Sequence, residues 1–319
     1  MSSGDVEKAK TAVVLIAHGT VDALDDLPEF LANIRHGHPA PPELVAEVRR
    51  RYEAIGGRSP LNDLNHEVAK KLEARVGLPT RLANRLIHPY PKDVVARLAS
   101  EGVRRILSVP LAQHSAGVYR SAMMAAVKEV DPSLELVCAP NWGRTPELTD
   151  AFAHAILETL KRVPSAEADR TALVLTAHSL PLSVVKNGDP YETEMRASAE
   201  AVVARVRELG GSLSADRVAF QSQGLGTAMP WLGPDLRTTL EELAAQGKRH
   251  IVVAPIGFLA DHVEILYDLD IEAKAWSEEL GTVLYRSTSL NAGGGLIDAL
   301  VAVTRDLSKP ADSEPKRGG

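Results

Sequence analysis

The sequence repeats itself, and that repeat limits the folds open to it. Residues 11–20 read TAVVLIAHGT and residues 171–180 read TALVLTAHSL, with six of ten positions identical. A second pair, GVRRILSVP at 102–110 and GKRHIVVAP at 247–255, keeps Gly, Arg, Ile and Pro in matching places. A third, weaker pair starts at Asn141 (NWGRTPELTDAF) and Asn291 (NAGGGLIDAL). One such match can arise by chance; three in the same order indicate a duplicated unit. A chain of 319 residues has room for two domains. The repeat sets them at residues 8–165 and 166–310, joined through the small, polar stretch 164–170, with 311–319 as a flexible tail. Residues 1–10 are also polar and expected to be mobile.

The repeated unit is α/β. Short apolar runs at 12–17, 105–111, 172–177 and 250–256 read as buried strands, and 134–140 and 282–285 as weaker ones. Helical patterns lie between them at 42–55, 65–75, 92–102, 146–161, 192–209, 236–246 and 263–276. Continuously apolar strands alternating with helices imply parallel sheets flanked by helices on both faces. The expected fold is therefore two similar doubly wound, Rossmann-like domains with an active cleft between them. In open α/β sheets, ligands bind beyond the carboxyl ends of the strands. His18 and His178, each just past a predicted strand, would face that cleft.

Composition narrows the function. Acidic residues exceed basic ones, 42 against 36, for a formal net charge of −6, which argues against a general nucleic-acid binder. The single cysteine, Cys138, can supply neither an internal disulfide nor the four thiolates of an iron–sulfur cluster. No apolar run approaches the roughly 18–20 residues of a membrane span, and MSSGDVEKAK lacks the hydrophobic centre of a signal peptide. These features lead to the expectation of a cytoplasmic protein without a stable membrane anchor.

Several residues could carry chemistry. An isolated histidine after a strand can simply close the following turn, but two at equivalent places in a repeat point into one cleft. A neutral imidazole can accept a proton or bind a metal. Residues 261–272 read DHVEILYDLDIE. As a helix, this places Glu264, Asp268 and Glu272 on one ridge, with Ile265, Leu266 and Leu269 on the buried side. Such a ridge is either a solvated helix face or a path for cations or protons. Like charges at this spacing destabilise a helix by a few tenths of a kcal/mol, about 0.2–0.5 per pair, and no Lys or Arg lies on the ridge to compensate. No HExxH or CxxC occurs, so a closed zinc site is excluded. The loop GGRSP at 56–60 leads into a helix, and QSQGLGTAMPWLGPD at 221–235 lacks the context of a phosphate-binding loop, which disfavours nucleotides. Arg35, His36, His38, Arg49, Arg50, Arg51 and Arg58 form a basic cluster, from which Arg35 and Arg51 could pair with substrate carboxylates.

The residues then resemble a known family. NIRHGHPAPPEL from Asn33, RYEAIGGRSPL from Arg51, AHSLP from Ala177, GDPY from Gly188, FQSQG…PWLGPD from Phe220 and PIGFLADHVEILYDLDIE from Pro255 are similar to the ferrochelatases, class II chelatases that insert ferrous iron into a porphyrin. The matching segments span most of the chain in the family's order. The resemblance implies two similar chelatase-type domains around a cleft. It places the family's facing histidine and glutamate at His178 and Glu264, as catalytic residues and metal ligands, and its acidic ridge at Asp268 and Glu272. It further implies porphyrin contacts from His18, Arg35, Arg51, Ser59 and Tyr267, with Tyr267 and Trp231 pressing on the ring. The family often has Tyr or Phe where this chain has His18.

On that resemblance, Fe²⁺ is a substrate, a further divalent cation can sit on the ridge, and no iron–sulfur cluster is expected. The partners are a porphyrin and ferrous iron, not nucleic acid, and the protein is expected to be a monomer. The compact segment 27–42 lacks a long hydrophobic lip, and its basic residues suit extra carboxylates. That favours coproporphyrin III, with its four propionates, over protoporphyrin IX. Two rivals stand beside this reading: a sirohydrochlorin-type cobalt or nickel chelatase, and a non-catalytic tetrapyrrole or metal carrier on the same fold.

Overall fold

The computed structural model describes residues 10–223 and 230–309. The expected tail at 311–319, the first residues of the N-terminal half and the GLGTAM stretch of the 221–235 loop lie outside them. Each half carries a four-stranded, all-parallel sheet. The first contains β1 (Thr11–Ala17), β2 (Thr80–Asn84), β3 (Arg105–Pro110) and β4 (Glu135–Cys138), in the order β2-β1-β3-β4. The second contains β5 (Thr171–His178), β6 (Ala215–Gln221), β7 (His250–Ala254) and β8 (Val283–Arg286), in the order β6-β5-β7-β8. The repeat is preserved in register: Thr11 pairs with Arg105 in one sheet, and Thr171 with His250 in the other.

The central strands are apolar throughout because both of their faces are covered. Val13, Leu15 and Ala17 of β1 face one apolar cluster, while Ala12, Val14 and Ile16 face another built with Val94, Val95, Met123 and Val127. The outer strands β4 and β8 each begin on an exposed residue and stay only half-buried. β2 and β6 were not expected from the sequence; TRLAN and ADRVAFQ mix charge with apolar residues and show no uniform run. Three sizeable helices were also unanticipated: Leu27–Ile34, Ala116–Val130 and Gly294–Ser308.

The halves exchange their last helices. Helix Pro146–Leu160, which follows β4, packs against helix Tyr191–Glu208 and against β7 of the other sheet. Helix Gly294–Ser308, which follows β8, packs against helix Leu61–Val76 and β3. One apolar core consequently joins residues of both sheets, from Leu15 and Val109 to Leu175 and Val252.

Candidate active site

The site is built where the two central strands end. β5 ends on His178, and β1 ends one residue before His18. Glycines let neighbouring segments pass close to both ends. A Cβ at Gly257 would lie 2.4 Å from the Cβ of Ala177, and Gly19, at φ +85°, abuts Asn84 and Ile87. The Tyr191 hydroxyl donates to the His178 carbonyl at 2.8 Å and fixes the strand terminus.

His178 has partners for both ring nitrogens. Nδ1 faces the Ser179 carbonyl, which can only accept, and Nε2 lies 3.5 Å from Oε1 of Glu264. Both partners favour a proton, so the geometry is that of an imidazolium–carboxylate pair. Burial works against the charge on His178, but the charge of Glu264 and its hydrogen bond, with the Ser179 carbonyl, raise the pKa to about 9. Burial likewise opposes the charge on Glu264, yet His178 and His262 hold its carboxyl well below the ordinary range. His262, two residues before Glu264, donates from Nδ1 to the Ala260 carbonyl at 3.0 Å and presents Nε2 3.6 Å from Oε2 of Glu264. No sequence argument singled out His262.

His18 stands at the equivalent place in the first half with the opposite proton affinity. Its ring is reachable by solvent but is crowded by the cleft walls, and it meets Phe30 edge-on at 5.9 Å. That crowding, followed by the Arg85 guanidinium, lowers its pKa to about 4. His18 senses the charges of Glu264, His178 and His262, which places all four groups in one cleft. Arg85 was also missed. It follows β2, its backbone N–H donates to the Ala17 carbonyl at 2.9 Å, and its guanidinium lies over the Tyr119 ring at 5.9 Å. Among the described residues it forms no ion pair, and its buried Nε has no partner.

The acidic ridge is not a solvated helix face. The expected single helix at 263–276 is instead an α-helical turn, Val263–Tyr267, a π-helical stretch, Asp268–Ala273, and a further α-helical turn, Lys274–Glu279. A π turn closes with wider i→i+5 hydrogen bonds and is common at functional sites. Asp268 is only 4% exposed, while Glu264 and Glu272 are half-buried. Asp268 pairs with Arg51 Nη1 at 3.2 Å and accepts a hydrogen bond from Ser222. Burial and the neighbouring Glu264 nevertheless outweigh those partners and push its pKa up to about 6. The compensating base absent from the ridge itself is therefore Arg51, brought from another part of the chain.

The expected porphyrin contacts fall in different surroundings. Arg35 is exposed at the end of helix Leu27–Ile34 and makes no side-chain ion pair among the described residues. Arg51 is already engaged by Asp268 and by Glu47 at 2.9 Å. Tyr267, expected to pack on the ring, is 4% exposed and lies beneath Arg50 and Arg51, 5.3 and 5.0 Å from its centroid. Ser59 is buried, and its Oγ accepts from Leu61 N–H at 3.4 Å where helix Leu61–Val76 begins. Trp231 is half-buried and bridges to Pro181. Arg49, Arg50 and Arg58 are paired with Asp25, Glu47 and Asp22 with Asp63, respectively, so most of the basic cluster is internally neutralised.

Among the described residues, no group of three or more His, Cys, Asp or Glu could hold a metal ion. The site offers paired donors around an open cleft, which suits transient passage of a cation. No helix among the described residues is long and apolar enough to cross a membrane.

Comparison with known proteins agrees across nearly the whole chain. Residues 10–307 match the family model described as ferrochelatase. The ferrochelatase of Herpetosiphon aurantiacus is 37% identical over 92% of this chain and 98% of that protein. The coproporphyrin III ferrochelatase of Geobacillus kaustophilus is 35% identical over 92% of this chain and 95% of that protein. Among solved structures, SirB from Bacillus subtilis with Fe³⁺ has the same fold, with a TM-score of 0.58 at 14% identity, covering 93% of this chain and 95% of that one.

Proposed function

The chain belongs to the ferrochelatase family, and on that premise we propose that its porphyrin is coproporphyrin III, with protoporphyrin IX as the second candidate. It is an enzyme that inserts iron into a porphyrin for haem synthesis. The observation that carries the site assignment is the His178–Glu264 pair facing a neutral His18 across a cleft at the carboxyl ends of both sheets.

The reaction joins Fe²⁺ to a porphyrin bearing two pyrrole N–H groups and releases two protons. His18, with its pKa near 4, is neutral at pH 7 and offers a free nitrogen lone pair to the ring or metal. His178 is protonated in the resting pair, so iron can bind its Nε2 only by displacing that proton. Glu264 stabilises His178 before iron arrives and offsets the metal charge afterwards. Asp268, titrating near 6, can take up and release a proton near neutrality. Glu272 is the outer end of the path. An accessory divalent cation on the ridge, held by Asp268 and Glu272, belongs to the same proposal.

Substrate choice rests on unpaired positive charge. Arg35 and Arg85 have no carboxylate partner among the described residues and suit propionates. Relatives such as that of Geobacillus kaustophilus carry the name coproporphyrin III ferrochelatase. A monomeric state, a cytoplasmic place and the absence of a nucleic-acid partner belong to the same proposal; the single cysteine supports the second and the net charge of −6 the third. The test is anaerobic incubation with Fe²⁺ and each porphyrin, followed by the haem absorption spectrum. Faster insertion into coproporphyrin supports the reading, and faster insertion into protoporphyrin reverses the substrate order. Binding without insertion would favour a carrier.

A further inference from the structure

Arg286, the last residue of β8, reaches the helical segment that carries Glu264 and Asp268. Its side chain is 18% exposed, and it is forked between two acids. Nη1 donates to Asp261 Oδ1 at 3.0 Å, and Nε donates to Asp270 Oδ1 at 2.6 Å. Asp261 precedes Glu264 by three residues, and Asp270 follows Asp268 by two. Arg286 thus grips the segment on either side of Glu264 and Asp268. Asp261 is further fixed by Ser289 Oγ at 2.7 Å and Asn291 Nδ2 at 3.0 Å, while its backbone N–H donates to Asn291 Oδ1 at 2.8 Å.

The duplicated half serves as an internal control. There Asn141 Oδ1 accepts from the Ala116 N–H at 2.8 Å, which is the same asparagine anchor without a carboxylate beside it. β3 pairs Ser108 with Cys138, as β7 pairs Val253 with Arg286, so the arginine's equivalent is a cysteine. The arginine and its two aspartates occur only in the half that carries Glu264. That helical segment includes a π stretch, Asp268–Ala273, a hydrogen-bonding pattern found mostly as single turns. Arg286 ties it from within, at Asp270, and ties the chain that leads into it, at Asp261.

We propose, resting on the ferrochelatase reading, that Arg286 is a positioning residue. By holding Asp261 and Asp270 it keeps Glu264 and Asp268 at the distance from His178 that iron entry requires. A displacement of about 1 Å at such a site costs about 100-fold in rate.

The test compares Arg286→Gln, Arg286→Lys and Asp270→Asn with the wild-type chain under anaerobic conditions. For Arg286→Gln we expect kcat to fall about 10–100-fold and the iron KM to rise, with porphyrin KM unchanged within about twofold. Arg286→Lys should restore part of the rate, because it keeps the charge while losing the fork. Amide hydrogen exchange should quicken at 263–273 and stay unchanged at 116–130. Wild-type kcat and iron KM in Arg286→Gln would overturn the proposal. So would a loss shared by both KM values with faster exchange over the whole chain, since that marks a general scaffold role. If Arg286→Gln does not fold, Asp270→Asn releases one arm and is judged by the same outcomes. If the wild type inserts no iron into either porphyrin, the functional reading fails; unchanged exchange at 263–273 and unchanged Co²⁺ affinity in the variant would then separately overturn the clamp.

Discussion

The two halves of the molecule place a histidine at the same point of the same sheet and give it opposite proton affinities. His18 is pushed down to about 4 and His178 up to about 9. The strands and their registers are equivalent, so the backbone does not cause the difference. The loops do: Arg85 follows the outer strand β2 of the first half, whereas Glu264 follows the central strand β7 of the second. Duplication supplied two matching frames; burial lowers the pKa of both histidines, and the charge of Glu264 reverses that for His178.

The largest expected effect tests whether that asymmetry matters. His178→Ala should lower kcat by about 10²–10⁴-fold while leaving porphyrin affinity within about tenfold. His18→Ala should cost less, because a neutral group with no carboxylate partner is lost. Equal losses in steady-state assays would mean that the halves share the work symmetrically.

The carboxylates come next. Glu264→Gln removes the main cause of the raised His178 pKa, so the imidazole should titrate lower than about 9 by NMR, with kcat reduced about 100-fold. Asp268→Asn should be milder and Glu272→Gln milder still. Unchanged iron dependence and raised melting temperatures in these last two would reduce the ridge to surface.

The arginines sharpen the comparison further. Arg35→Ala should raise porphyrin KM by about 1.5–3 kcal/mol in apparent binding, more for a substrate with four propionates than for one with two. Arg51→Ala should act through Asp268 instead. Arg51 lowers the Asp268 pKa, so its removal moves the acidic limb of the pH–rate profile to higher pH from near 6. An unmoved limb with raised porphyrin KM would return Arg51 to a direct substrate role.

The smallest effect concerns stability against pH. A histidine whose folded pKa is raised, as His178, contributes stability that is complete below about 6.5 and is lost as pH rises through about 9. His18 behaves inversely: the unfolded chain gains a proton below about 6.5 that the folded one refuses until about 4, so acid destabilises the fold across that window. Arg85→Leu should raise the His18 pKa and shift the acid-unfolding midpoint slightly downward. An unchanged midpoint would show that Arg85 does not set the contrast.

Much of the frame was legible because β1, β3, β5 and β7 are buried on both faces and therefore read as apolar runs. β2 and β6 were not, since TRLAN and ADRVAFQ mix charge with apolar residues and leave no uniform run. The acidic ridge was legible as spacing, but the π turn was not, because over six residues its pattern differs too little from an α-helix. His178 and Glu264 emerged from the repeat, the ridge and the family resemblance together. Arg85 stayed hidden because a lone arginine after an unrecognised strand has no pattern around it. The Arg51–Asp268 pair spans 217 residues of sequence, a separation no local argument bridges.

The exchanged terminal helices carry a consequence for biosynthesis. Helix Gly294–Ser308 covers β3 and helix Leu61–Val76 yet is synthesised long after both. At about 5–20 residues per second, the apolar face of the first half waits roughly 10–40 s for its cover. The chain therefore cannot complete its N-terminal half as it is made. A nascent chain stopped before residue 294 should bind a chaperone holdase that a released chain carrying this helix does not.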